Sequence, residues 1–212
     1  MRRRVIRCVA LACGIVARPA AGAAQMTAFE QQVLAEMNLA RTDPSGYARH
    51  IERLLQYFDG NLLRIPGEVA LRTSEGPRAV REAAAALRAQ SPLPALGASS
   101  GLARAARDHA GDLGPRGGLG HAGSDGSRMD ARISRYGIWD GSAAENISYG
   151  STSPRDVVIG LLVDDGVPGR GHRANILSAE SRFAGVGCGP HTGYGTMCVI
   201  DFAGGYREAG SR

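Results

Sequence analysis

Apolar side chains recur at intervals of three and four at Phe29, Val33, Met37 and Ala40, which predicts a helix reaching about Arg41. Thr27 precedes Glu30 by three residues, the spacing at which each side chain caps the other's backbone N–H. Asp43-Pro44 opens a second helix with the apolar face Tyr47, Ile51, Leu54, Leu55 and Phe58, and Asp59-Gly60-Asn61 breaks it. From Leu62 to Gly76 no period is visible, and the stretch reads as an irregular insertion. Pro77 to Gln90 is alanine-rich and helical, and Ser91-Pro92-Leu93-Pro94 is an extended linker. Ser99 or Ser100 caps a helix through Leu113 whose face is Leu102, Ala106, His109 and Leu113. Gly114 to Gly126 is a glycine-rich loop, after which Ser124 or Asp125 caps a short helix carrying Met129, Ile133 and Tyr136. Ala143 to Tyr149 reads as a strand, Ser153 to Leu162 as a capped helix, and Arg173 to Leu177 as a helical turn. Gly185 to Pro190 and Thr196 to Phe202 form a closing hairpin around His191 to Gly195. Helices lead and a small antiparallel sheet closes the chain, so the expected class is α+β, a layered αβα domain.

Charge changes this picture only at one end. The 212 residues carry a formal net charge of +5, but Arg2, Arg3, Arg4, Arg7 and Arg18 precede the first acid, Glu30. Without them the 20 remaining basic residues balance the 20 acids, so no basic nucleic-acid surface is expected. Met1 to Arg7, the apolar Cys8 to Ala17 and the small residues from Ala20 to Ala24 read as a signal peptide over 1–24. A lipoprotein signal ending at Cys13 and a frayed cytoplasmic N-terminus are the alternatives. The apolar run is too short to span a bilayer. The expected organisation is a single domain over 25–205, with an insertion at about 57–76 and a polar tail over 206–212. Export would be to the periplasm or beyond the cell. It would leave Cys188 and Cys198, read as one disulfide across the hairpin, with two free buried thiols as the alternative.

Four polar groups stand on separate loops and could converge: His121, Glu145, the pair Asp164-Asp165, and His172. Neutral imidazoles with a carboxylate suit zinc or another divalent cation, or a water activated for general base work. No His-Glu-x-x-His is present, which removes the common zinc-protease helix, and none of Ser124, Ser142 and Ser148 sits in a Gly-x-Ser-x-Gly elbow, so nucleophilic hydrolysis is not the expected chemistry. His109, on an apolar helix face, is expected as a core histidine and His191 as an inert turn residue. Arg170 and Arg173 are expected to pair with Asp164, Asp165 or Glu145. Asn146 and Asn175 are expected to tie loops to backbone.

Gly120-His121-Ala122-Gly123, Ala144-Glu145-Asn146-Ile147 and Gly171-His172-Arg173-Ala174-Asn175-Ile176-Leu177 together resemble the CAP superfamily. That family joins cysteine-rich secretory proteins, venom antigens and plant pathogenesis-related proteins, and the order and spacing match its bacterial secreted branch. Asn38-Leu39-Ala40-Arg41 and Gly185-Val186-Gly187 add to a resemblance covering roughly Phe29 to Phe202. It implies an αβα sandwich with a three-stranded antiparallel sheet, and one cleft where two histidines and two acids meet. His121 and His172 match the family histidines, which are the tentative metal ligands, and Glu145 matches the acid of its Glu-Asn motif. The tryptophan many members carry before the last histidine is missing. Asp164 or Asp165 takes the fourth corner, and Asp165, nearer His172, is the expected one. The implied function is a secreted binding module holding a divalent cation, a small apolar ligand or a lipid. The alternative is a metal-assisted, peptidase-like hydrolase with Glu145 as catalytic base. Oligomeric state is not legible.

Overall fold

In the computed structural model, which describes residues 25–210, Thr27 and Glu30 form the expected reciprocal cap and start α1, Ala28–Thr42. The signal peptide expected over 1–24 lies outside the described residues. Asp43 accepts the Gly46 N–H and begins α2, Pro44–Glu52, which tightens into a 3-10 turn through Tyr57. The insertion is not wholly irregular. Phe58–Asp59 (β1), Leu62–Leu63 (β2) and Leu71–Arg72 (β3) pair antiparallel in a small sheet of their own. The pairs are two residues long, too short for a period-two pattern to show in the sequence. Helix α3, Pro77–Ala89, packs on α2.

A two-residue strand β4, Gly97–Ala98, leads into α4, Ser100–Leu113, capped by Ser99. The short α5, Met129–Ser134, follows the glycine-rich loop. Neither Ser124 nor Asp125 caps it: Ser124 bonds Asp112, and Asp125 closes a turn onto the Ser127 N–H. Strand β5, Gly137–Tyr149, starts six residues before the expected strand, with an irregularity between Asp140 and Ala143. Then come α6, Pro154–Val163, capped by Ser153, and α7, Gly171–Ile176. The chain closes with β6, Phe183–His191, and β7, Gly195–Glu208. Strand β7 runs into the stretch expected as a tail, because Tyr206 donates to the Ile133 carbonyl and Glu208 accepts from Ser99.

Strands β6, β7 and β5 form the antiparallel sheet, and β4 adds a short parallel edge beside β6, giving the order β4-β6-β7-β5. Alternation along β7 divides the core. Cys198, Ile200 and Phe202 face the layer that includes α1 and α6, while Met197, Val199 and Ala203 face α4 and α5. This is the αβα sandwich. Gly185 and Gly187 let α4 lie directly on β6. A Cβ at Gly185 would stand 2.0 Å from the Ala103 nitrogen, and one at Gly187 2.2 Å from that of Arg107.

Two connections fix the far side. Arg41, 1% exposed, donates to the carbonyls of Pro94, Ile176, Ser178 and Ser181, and Asn38 pairs with the Leu96 backbone in both directions. The Asn38 to Arg41 motif thus binds α1 to the chain after α7. Cys188 and Cys198 are register partners across the hairpin and form the disulfide, closing a ten-residue separation. No helix among the described residues is long and apolar enough to cross a membrane.

Candidate functional site

Successive residues of β5 project to opposite faces, so Glu145 and Asn146 serve different neighbours. Glu145, 7% exposed, accepts a hydrogen bond from His121 Nδ1 at 2.8 Å on one oxygen and from Arg132 at 2.6 Å on the other. Burial by itself would push its carboxyl up. The His121 hydrogen bond and the Arg132 charge outweigh it and hold Glu145 below the ordinary carboxylate range. His121 is raised in turn, first by the hydrogen bond to Glu145, while its side chain stays 58% exposed.

The loop that carries His121 is held by other histidines. His109, fully buried, donates from Nε2 to the Gly120 carbonyl, and burial holds its pKa down. His191, 2% exposed, donates from Nε2 to the Gly118 carbonyl and accepts the Gly193 and Tyr194 N–H groups at Nδ1. Tyr149 accepts the Gly120 N–H at 2.9 Å. His109 is the core histidine it was expected to be, and His191 is a buried structural tie.

The second pair forms at the C-terminus of α6. Asp164 ends that helix in the left-handed region, φ 54°, a conformation short polar side chains tolerate. The turn aims its carboxylate at α7, where it accepts the His172 backbone N–H at 3.0 Å and pairs with His172 Nδ1 at 2.6 Å. Of the two neighbouring acids it is Asp164, not the expected Asp165, that meets His172. Asp165 faces the end of the insertion and accepts the Ser74 and Glu75 N–H groups at 2.6 and 2.8 Å. Arg170 and Arg173 also turn away from the expected acids. Arg170 pairs with Glu75 and Glu82, Arg173 with Glu82, and the Asp164 contact of Arg170 is to backbone carbonyl. Glu75 is drawn down to about 2, chiefly by Arg170 and then by the Gly166 N–H. Asn146 donates to the His172 carbonyl and accepts from Asn175, so the two asparagines tie α7 to β5.

The two histidines thus stand in two histidine–carboxylate pairs, His121 with Glu145 and His172 with Asp164. Among the described residues no three His, Cys, Asp or Glu side chains gather as a metal site. A protein-held zinc ion ordinarily takes three or four such donors, and this donor set does not fit one as it stands.

Beside the His172–Asp164 pair lies a cavity of about 600 Å³. Phe58, Leu63, Val69 and Leu71 of the insertion line it, together with Ile159 of α6 and Ile147 of β5. Val69 and Leu71 are 95% and 59% exposed, an arrangement that leaves apolar surface around the opening. The sequence marked the insertion but not this use of it, because its apolar residues have no regular spacing. Two further residues went unmarked. Arg132, 2% exposed, anchors Glu145. Asp201, fully buried, lies opposite Glu145 in the register of β5 and β7, and neither of its oxygens meets a donor among the described residues. A lone acid in the apolar run Val199-Ile200-Asp201-Phe202 was the available signal.

Three solved structures are similar to this chain. An outer surface protein from Borrelia burgdorferi is 21% identical over 52% of this chain and 78% of its own, with a TM-score of 0.45. An extracellular protein containing an SCP domain from Bacillus anthracis is 22% identical over 52% of this chain and 34% of its own, TM-score 0.42. A cysteine-rich secretory protein from Staphylococcus aureus is 14% identical over 65% of this chain and 42% of its own, TM-score 0.39. Nothing matches among curated proteins. The sequence model of the cysteine-rich secretory protein family matches residues 81–202, which hold His121, Glu145, Asp164, His172 and the disulfide. With more than half of its length matched, the chain belongs to the CAP, or cysteine-rich secretory protein, family.

Proposed function

We propose that this protein is an exported binding module whose ligand is a small apolar molecule seated in the cavity beside His172 and Asp164. One observation carries the reading: a cavity of about 600 Å³, walled by Phe58, Leu63, Val69 and Leu71, has a fixed polar pair at its edge. Ligand pockets of a few hundred Å³ combine an apolar lining with a few placed polar groups in this way. Export, to the periplasm or outside the cell, is supported by the disulfide, which persists in oxidising compartments.

The hydrolytic alternative has less support. Both oxygens of Glu145 are taken up by His121 and Arg132, and its side chain is 2% exposed, so a water has little access to it as a base. The histidine–carboxylate donors are paired with each other in two separate couples, which favours an apolar ligand over a divalent cation.

The test is titration of the purified protein with N-phenyl-1-naphthylamine, a neutral apolar dye whose fluorescence rises on burial. Saturable one-to-one binding is expected, weakened at least fivefold by Val69→Ser with Leu71→Ser. Both positions are exposed, so unfolding stability should change by no more than about 0.5 kcal/mol each. Absence of saturable binding, or binding indifferent to the double substitution, overturns the reading.

A further inference from the structure

Resting on the cavity as the ligand site, we propose that its ligand is a cation-headed amphiphile: an apolar chain ending in a quaternary or protonated amine. The charge around the cavity points this way. Glu68, Asp156, Asp164 and Asp165 line it, against Arg72 as the only lining arginine among the described residues and His172, which is already paired with Asp164. Two of these carboxylates are fixed in place. Asp164 is held by the His172 backbone and ring, and Asp165 by the Ser74 and Glu75 N–H groups. Neither can swing away to admit an anion. A fatty acid or a phosphate head would bring like charge against them, whereas a cation is attracted to all four.

Aromatic faces make an independent second contribution. Tyr149 and Tyr194 both line the cavity, with ring centroids 5.6 Å apart and planes inclined by 45°. Tyr149 is steadied by the Gly120 N–H on its hydroxyl, and Tyr194 lies against the His191 ring at 5.3 Å. Tyrosine faces attract ammonium groups, and those that keep their alkyl substituents suit a site that is apolar elsewhere. The insertion wall takes the chain, and the tyrosines and carboxylates take the head.

Three probes with the same twelve-carbon chain separate the possibilities: dodecyltrimethylammonium, dodecanol and dodecanoate. Each is used below its micelle-forming concentration at low salt to displace the naphthylamine dye. The ammonium is expected to bind at least tenfold more tightly than dodecanol, and dodecanoate most weakly. Tyr194→Leu and Glu68→Gln, both at exposed positions, should each reduce the ammonium's advantage over dodecanol about threefold or more. Dodecanoate binding as tightly as the ammonium overturns the head-group inference while leaving an apolar site standing. So does an ammonium preference that neither substitution reduces. If none of the three displaces the dye, both the site and this inference fail.

Discussion

Asp201 is fully buried, faces Glu145 across the strand pair and has no donor for either oxygen among the described residues. Burial pushes its carboxyl well up, and the neighbouring Glu145 charge pushes it further. A protonated Asp201 is a donor rather than an acceptor, and Glu145, itself held ionised by His121 and Arg132, is the acceptor beside it. Between the unfolded acid's pKa, about 3.9, and the raised native value, the folded state binds one proton more than the unfolded chain. Stability therefore falls as pH rises through that window, by about 1.4 kcal/mol per pH unit while the native acid stays protonated. Asp201→Asn keeps a donor for Glu145 and cannot ionise. Urea unfolding of both proteins at pH 5, 6 and 7 isolates the effect, because His109, His121 and the other titrating groups are common to the two. The variant should gain on the wild type by up to about 1.4 kcal/mol for each unit of pH. Parallel stability curves over that range would refute the assignment of a neutral acid at this position.

Replacing both Cys188 and Cys198 with alanine should cost about 2–3 kcal/mol in the same unfolding assay, the loop entropy of a ten-residue closure. Mass spectrometry of the untreated protein should show no free thiol. Gly187→Ala places a methyl 2.2 Å from the Arg107 backbone nitrogen, so β6 and α4 must part, and a loss of about 1–3 kcal/mol in thermal or urea unfolding is expected. Because His121 is raised by Glu145, its contribution to stability is present below its unfolded pKa, about 6.5, and fades as pH rises through the raised native value. His121→Ala should lose stability at pH 5.5 and little at pH 9. An equal loss at both would show that the imidazole acts through packing alone.

Much of this fold could be read one residue at a time. The Thr27–Glu30 cap, the Asp43-Pro44 and Ser153-Pro154 helix starts and the Leu102 to Leu113 face are local patterns. Each depends on contacts within one turn or on a single buried stripe, and each appears where the spacing placed it. The hairpin and its disulfide were legible for the same reason: Cys188 and Cys198 face each other across one turn. His121 with Glu145 was legible as residue types, through motifs, but not as a contact. What the sequence could not decide was direction. Asp164 and Asp165 are adjacent, and proximity along the chain favoured Asp165. Asp164 meets His172 because it alone sits in the left-handed turn that ends α6, while Asp165 is turned to the insertion. Arg132, Asp201 and the cavity wall from Phe58 to Leu71 likewise acquire their roles from strand register and from packing between segments far apart in sequence. Local periodicity determines which elements form and which of their faces are apolar. Which of two neighbouring carboxylates meets a histidine, and which acid has its carboxyl pushed up by burial, depends on the dielectric and the partners that only the assembled layers supply.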